Sequence, residues 1–229
     1  MNFTFRTAAP ILLALLGTTA QPVQAEGELM VIPASTRVYG SHEQKVTVKN
    51  MGDAPLYLNI ALQKVMNPGM TPEKKVELGQ LDNPGLIVNP DKLTLGPSQS
   101  RQIVLRSLME PSQEELYRLY IVPVRSLKVD DAPHDKITAP MSVAIGYGVL
   151  VRHMPPVSEI RTGWTHRCED GGITLETTGN VRAVLSNVSY DGVQQPQTVA
   201  VFPGVPQHFM TKRMTLRAND EQRTLVCPQ

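Results

Sequence analysis

Apolar residues in this chain alternate with polar ones over short runs, and Gly, Pro, Asn and Asp separate the runs. Helical spacing is almost absent. A period of two places successive side chains on opposite faces, which suits a half-buried strand and no helix. The segment Lys45-Val46-Thr47-Val48-Lys49 alternates cleanly, and Asn50-Met51-Gly52-Asp53 ends it as a turn. The pattern predicts an all-β chain built from sandwiches of short strands.

Further strands are expected over Leu56 to Val65, Leu86 to Val88, Lys92 to Leu95, Arg101 to Leu108 and Leu116 to Val124. Turns at Asn67-Pro68-Gly69, Asn89-Pro90 and Gly96-Pro97-Ser98 divide them. Only Pro111 to Glu115 is compatible with a helix, of a single turn. The count between Met30 and Val151 comes to seven or so, the spacing of an immunoglobulin-like sandwich. Met154-Pro155-Pro156-Val157 then interrupts the pattern, because paired prolines cannot continue a central strand. A second set follows: Ile160 to Arg167, Gly172 to Thr177, Ala183 to Tyr190, Gln197 to Phe202, Thr211 to Arg217 and Arg223 to Cys227. The expected domains are residues 26–153 and 154–229.

Residues 1–25 read as a cleavable secretory signal. Arg6 is the positive end, Ala8 to Leu16 the apolar stretch, and Val23-Gln24-Ala25 the cleavage site. The apolar run is shorter than the roughly 20 residues a spanning helix needs, and no later stretch is long enough for membrane insertion. The full chain has 22 Lys and Arg against 21 Asp and Glu. Losing Arg6 with the signal leaves the mature part formally neutral, with no basic surface for nucleic acid. The two cysteines, Cys168 and Cys227, lie in the last third. In an oxidising compartment such a pair forms a disulfide; two buried free thiols are the alternative.

No catalytic constellation is visible. The five histidines fall at no metal-ligand spacing, and neither a nucleophile elbow nor a Gly-rich phosphate loop is present. The reading is of a protein that is not an enzyme and has no cofactor or metal.

The most informative run is Met141 to Arg152. Its odd positions Met141, Val143, Ile145, Tyr147, Val149 and Val151 are large and apolar or aromatic. Its even positions up to Gly148 are small, so one face is a ridge and the other nearly flat. The ridge spans roughly 33 Å at about 3.3 Å per residue, longer than a usual strand. Part of it belongs in the core of the first domain. The remainder overhangs, and an exposed apolar ridge on an edge strand invites pairing with another chain. Strand addition to a partner uses both features of such an element. Upstream, Arg125 to Pro140 reads as a long charged loop.

The chain resembles the periplasmic chaperones of the chaperone/usher pilus pathway, and more closely the alpha-fimbrial branch. Pro33 to Gly40, Leu95 to Arg106, and Tyr117-Arg118-Leu119-Tyr120 followed by the strand ending Tyr147 to Arg152 carry the resemblance. Order and spacing match over Met30 to Pro155. The resemblance implies two immunoglobulin-like domains set at an angle, like a boomerang, in the periplasm. It implies donor-strand complementation, in which the chaperone lends a strand to pilus (fimbrial) subunits and passes them to an outer-membrane usher. Met141, Val143, Ile145 and Tyr147 are then the inserting side chains, while Val149 and Val151 stay in the core. A basic pair between the domains anchors the subunit's C-terminal carboxylate. Arg37 falls at the first of these positions; at the second, usually lysine, the strand offers only Arg152. Self-association is another way to cover the ridge in the free protein. Two rival readings are a two-domain envelope adhesin or binding module and a structural pilus subunit.

Overall fold

The computed structural model describes residues 28–40, 42–124 and 145–228. The signal segment, the charged loop, Met141 and Val143 lie outside the described residues. The first half contains β1 (Leu29–Ile32), β2 (Ser35–Val38), β3 (Gln44–Asn50), β4 (Leu56–Val65), β5 (Lys75–Glu77), β6 (Leu86–Asn89), β7 (Lys92–Leu95), β8 (Ser100–Ser107), β9 (Glu115–Val124) and β10 (Tyr147–His153). The second contains β11 (Trp164–Glu169), β12 (Gly172–Thr177), β13 (Ala183–Tyr190), β14 (Gln197–Val201), β15 (Gln207–Phe209), β16 (Arg213–Ala218) and β17 (Glu221–Val226). Short 3-10 turns at Leu78–Gln80 and Val157–Glu159 are the helical pieces among the described residues. None of them is long and apolar enough to cross a membrane.

Two sheets pack in each half. In the first, the order β1-β3-β8-β6 faces β2-β10-β9-β4-β5, with β7 also bonded to β4. The alternating residues predicted to point inward meet between them: Val46, Val48, Leu58, Ile60, Ile103, Leu105, Leu119, Ile121, Val149 and Val151 are all buried. In the second half, β11-β12-β15 faces β14-β13-β16-β17 around Ile173, Leu175, Leu185, Val188, Met214 and Leu216. The all-β reading and the two immunoglobulin-like sandwiches are borne out.

Ten strands stand where about seven were expected. The first long edge is split, because β1 pairs with β3 in one sheet and β2 with β10 in the other. Pro33, which has no N–H to give a ladder, sits at the crossing. The expected helical turn at Pro111 to Glu115 does not form. Its backbone groups are engaged elsewhere: Glu114 N donates to Asn180 O at 2.8 Å, and Ser112 O accepts from Asn180 Nδ2 at 3.2 Å.

Cys168 and Cys227 form a disulfide with Cα atoms 5.6 Å apart. Cys168 lies on β11, an edge of one sheet, and Cys227 directly follows β17, an edge of the other. The bridge therefore closes one open side of the second sandwich. Trp164 shares that side, with the Arg223 guanidinium 5.8 Å from its ring centre.

Candidate functional site: the free edge of β10 and the arginines beside it

β10 bonds along one edge to β9, from Tyr147 opposite Ile121 to His153 opposite Glu115. Its other edge is covered by β2 only from Leu150 onward, in parallel register, with Leu150 N donating to Ala34 O at 3.0 Å. Tyr147 to Val149 therefore present an unpaired edge among the described residues. Burial changes along the ridge at the same place. Val149 and Val151 are 1 % and 0 % exposed, whereas Tyr147 is 38 % and Ile145 72 % exposed. The ridge is exposed at Tyr147 and Ile145, but the strand itself begins at Tyr147 and is seven residues long, so the longer strand expected does not extend over Ile145 and Gly146.

The opposite face is not simply flat. A Cβ on Gly146 would sit 3.1 Å from Val122 Cγ2, and one on Gly148 3.7 Å from Tyr120 Cε1. Side chains of β9 thus lie across the small positions of β10, which explains why glycine stands at the tighter one.

At the far end of β10, Arg152 and Arg37 are register partners on neighbouring parallel strands. Their surroundings differ. The Arg37 side chain is exposed and makes no ion pair with a described residue. Arg152 is buried, and its Nε and Nη2 donate to Glu114 Oε1 and Oε2 at 2.5 and 3.0 Å. Its planar fork is therefore occupied from within the molecule. Bidentate geometry of this kind favours Arg over Lys.

Glu114 also reaches the second sandwich. Its Oε2 accepts the backbone N–H of Arg182 at 2.9 Å, and the Arg182 Nε lies 3.9 Å from Oε1. Asn180 pins the same junction, its Nδ2 donating to Ser112 O and to Glu159 O. Beside these polar contacts, Val65, Leu116 and Phe202 form a small apolar cluster joined by Leu150, Ala200 and Val205. Burial, then the positive charges of Arg152 and Arg37, push Arg182 below the ordinary arginine range, against the pull of Glu114. Sequence reasoning missed Glu114, Asn180 and Arg182, whose roles arise only where the halves meet.

The neighbouring pair His153 and Glu115 points the other way, into the first sandwich. Lys64 Nζ donates to Glu115 Oε1 at 2.6 Å, and Tyr117 Oη to Oε2 at 2.7 Å. His153 Nδ1 is 3.8 Å from Oε2, too long for a hydrogen bond, while its Nε2 lies 2.8 Å from Ser107 Oγ. Burial pushes the Glu115 carboxyl up, but His153, Lys64 and Tyr117 outweigh it and hold the group at about 2. Burial and the same carboxylate push the Tyr117 phenol well above its ordinary value.

This arrangement offers a strand edge and a cationic junction. No family model matches the chain. Among curated proteins it is 30% identical over 180 residues to a fimbrial protein of the CFA/I system of Escherichia coli, covering 78% of this chain and 75% of that one. Among solved structures it matches the class 5 fimbriae chaperone CfaA with a TM-score of 0.66 and 23% identity, over 88% of this chain and 100% of that one. The chain belongs to the family of this CFA/I protein, and its fold is that of the fimbrial chaperones. A chain from a chaperone–tip adhesin complex of CFA/I fimbriae biogenesis matches with a TM-score of 0.67 and 23% identity, over 87% and 98%. The family resemblance read from the sequence is borne out. The curated relative is named as a fimbrial subunit, but the present chain carries the whole two-sandwich fold of the chaperone structures, unlike a single incomplete domain.

Proposed function

We propose that the chain is a periplasmic chaperone that stabilises fimbrial subunits by donor-strand complementation and delivers them to an outer-membrane usher. Residues 1–25 are its export signal, 26–153 the strand-lending domain and 154–229 its companion. The observation that carries this reading is the unpaired edge at Tyr147 to Val149, whose ridge passes from buried Val149 to exposed Tyr147 and Ile145. A subunit missing a strand would take up Tyr147 and Ile145, with Val143 and Met141 continuing the ridge upstream. The main-chain groups of β10 supply affinity, and the alternate side chains supply fit.

The neighbouring strand sets the orientation. A subunit strand on this edge lies end to end with β2, on the side of β10 away from β9. Only if it runs parallel to β10 does its C-terminal carboxylate arrive beside Arg37. Arg37 is then the open anchor, and Arg152, clamped to Glu114, fixes the strand end next to it.

The test is Ile145→Asp, co-expressed with a fimbrial subunit. Burying such a side chain stabilises a complex by about 1.5–3 kcal/mol, so recovery of the subunit should fall by roughly tenfold or more. Thermal stability of the free chaperone should not change, because Ile145 is 72 % exposed. Undiminished subunit recovery would show that the ridge does not insert.

A further inference from the structure

Two arginines, Arg152 and Arg182, pair with one carboxylate at the junction of the sandwiches, and Arg37 is the register partner of the first. Glu114 is the only acid that any of Arg37, Arg152 and Arg182 pairs with among the described residues. Both hydrogen bonds that Glu114 receives from a guanidinium come from Arg152. The Arg182 guanidinium donates no hydrogen bond to a described residue; its buried Nε stands 3.9 Å from Glu114 Oε1, beyond hydrogen-bond reach. The nearby Arg118 differs: it donates to Glu73 at 2.6 Å and its charge is met. The junction thus holds two positive charges beyond what its own acid balances, on guanidinium groups with donors to spare. A planar fork with free donors, beside a second cation, fits a carboxylate. Leaving such a charge partly buried and unpaired is costly, so a site of this kind gains from an incoming anion.

We propose that Arg182, contributed by the second sandwich, is a binding residue for the subunit's C-terminal carboxylate, taken jointly with Arg37. This rests on the reading of the junction as a carboxylate anchor. It assigns to the second domain the cation that the strand-lending domain does not provide, since Arg152 is held by Glu114. It also gives the companion domain a direct part in subunit capture.

The experiment uses full-length mature chaperone and a fimbrial subunit that co-purifies with it. The subunit is prepared with its native C-terminal carboxylate and, by peptide ligation, with a C-terminal amide. Arg182→Met keeps an apolar stem of similar length against Phe202 and leaves the backbone N–H bonded to Glu114. Its thermal unfolding is compared with the parent protein, and Arg182→Lys tests retention of charge without the fork. Arg37→Met is run in parallel. Hydrogen bonds to charged groups predict that Arg182→Met weakens binding of the native subunit by about tenfold or more. The loss should disappear against the amide, with Arg182→Lys intermediate. If Arg37→Met is sensitive to the carboxylate and Arg182→Met is not, the anchor stands and the role of Arg182 is refuted. If neither variant distinguishes carboxylate from amide, the anchor reading fails and this inference fails with it.

Discussion

Replacing Glu114 with alanine should both destabilise the protein and loosen the coupling between its sandwiches. The Glu114 side chain is fully buried and that of Arg152 is 8 % exposed. Removing the carboxylate strands the Arg152 guanidinium without its two acceptors and the Arg182 N–H without its own. Breaking one side of a buried ion pair costs roughly 3–5 kcal/mol. An orphaned buried N–H adds about 1 kcal/mol or more. The expected loss is therefore about 4–6 kcal/mol. The double variant Glu114→Leu with Arg152→Met should lose much less, since no charge is left stranded. Urea unfolding followed by far-ultraviolet circular dichroism reports both sandwiches. The fluorescence of Trp164, the only tryptophan, reports the second alone. In the parent protein the two curves should coincide, and in Glu114→Ala they should separate. A loss below about 1 kcal/mol with coincident curves would refute the reasoning, because it is the value of a solvent-screened surface pair.

Two further outcomes follow from other parts of the structure. Glu115 is held at about 2 against an ordinary 4.5, so its contribution is complete above pH 4.5 and is lost as pH falls toward 2. At about 1.36 kcal/mol per unit this amounts to about 3 kcal/mol; urea titrations of Glu115→Gln should show a flatter loss of stability across that window, and an unchanged slope would contradict the assignment. Reducing the Cys168–Cys227 bridge, which joins residues 59 apart, should destabilise the second sandwich by about 4 kcal/mol. The Trp164 transition should then move to lower urea and the first sandwich should move little; equal shifts in both would contradict a local role.

Alternation made most of the framework legible. Leu56–Val65, Lys92–Leu95, Gly172–Thr177 and Ala183–Tyr190 have the boundaries their sequences suggest, because each buries every second residue or is flanked by clear turns. The three-residue strand Gln207–Phe209 was missed, since so short a segment cannot display a period. The division of the ridge into buried Val149 and exposed Tyr147 and Ile145 followed from the family resemblance, whereas the ridge itself could be read from side-chain size. The charged junction could not. Glu114 and Glu115 look like a solvated acidic doublet, and Arg152 and His153 like a strand terminus. Neighbouring residues on extended chain face opposite ways. One acid therefore meets Arg152 between the domains, and the other faces His153, Lys64 and Tyr117 inside the first. Arg182 lies 68 residues from Glu114, and no local pattern joins them.

The parallel pairing of β2 with the last part of β10 bears on which subunits the chaperone accepts. An added strand entering along the open edge runs out of room at Ala34 and Ser35. A polypeptide with extra residues at its C-terminus would collide with that barrier. A truncated one would seat its apolar side chains yet leave Arg37 facing water. On the proposed reading, the end of β2 sets how far such a strand can run, so the length of a subunit's C-terminal segment decides whether its carboxylate reaches Arg37.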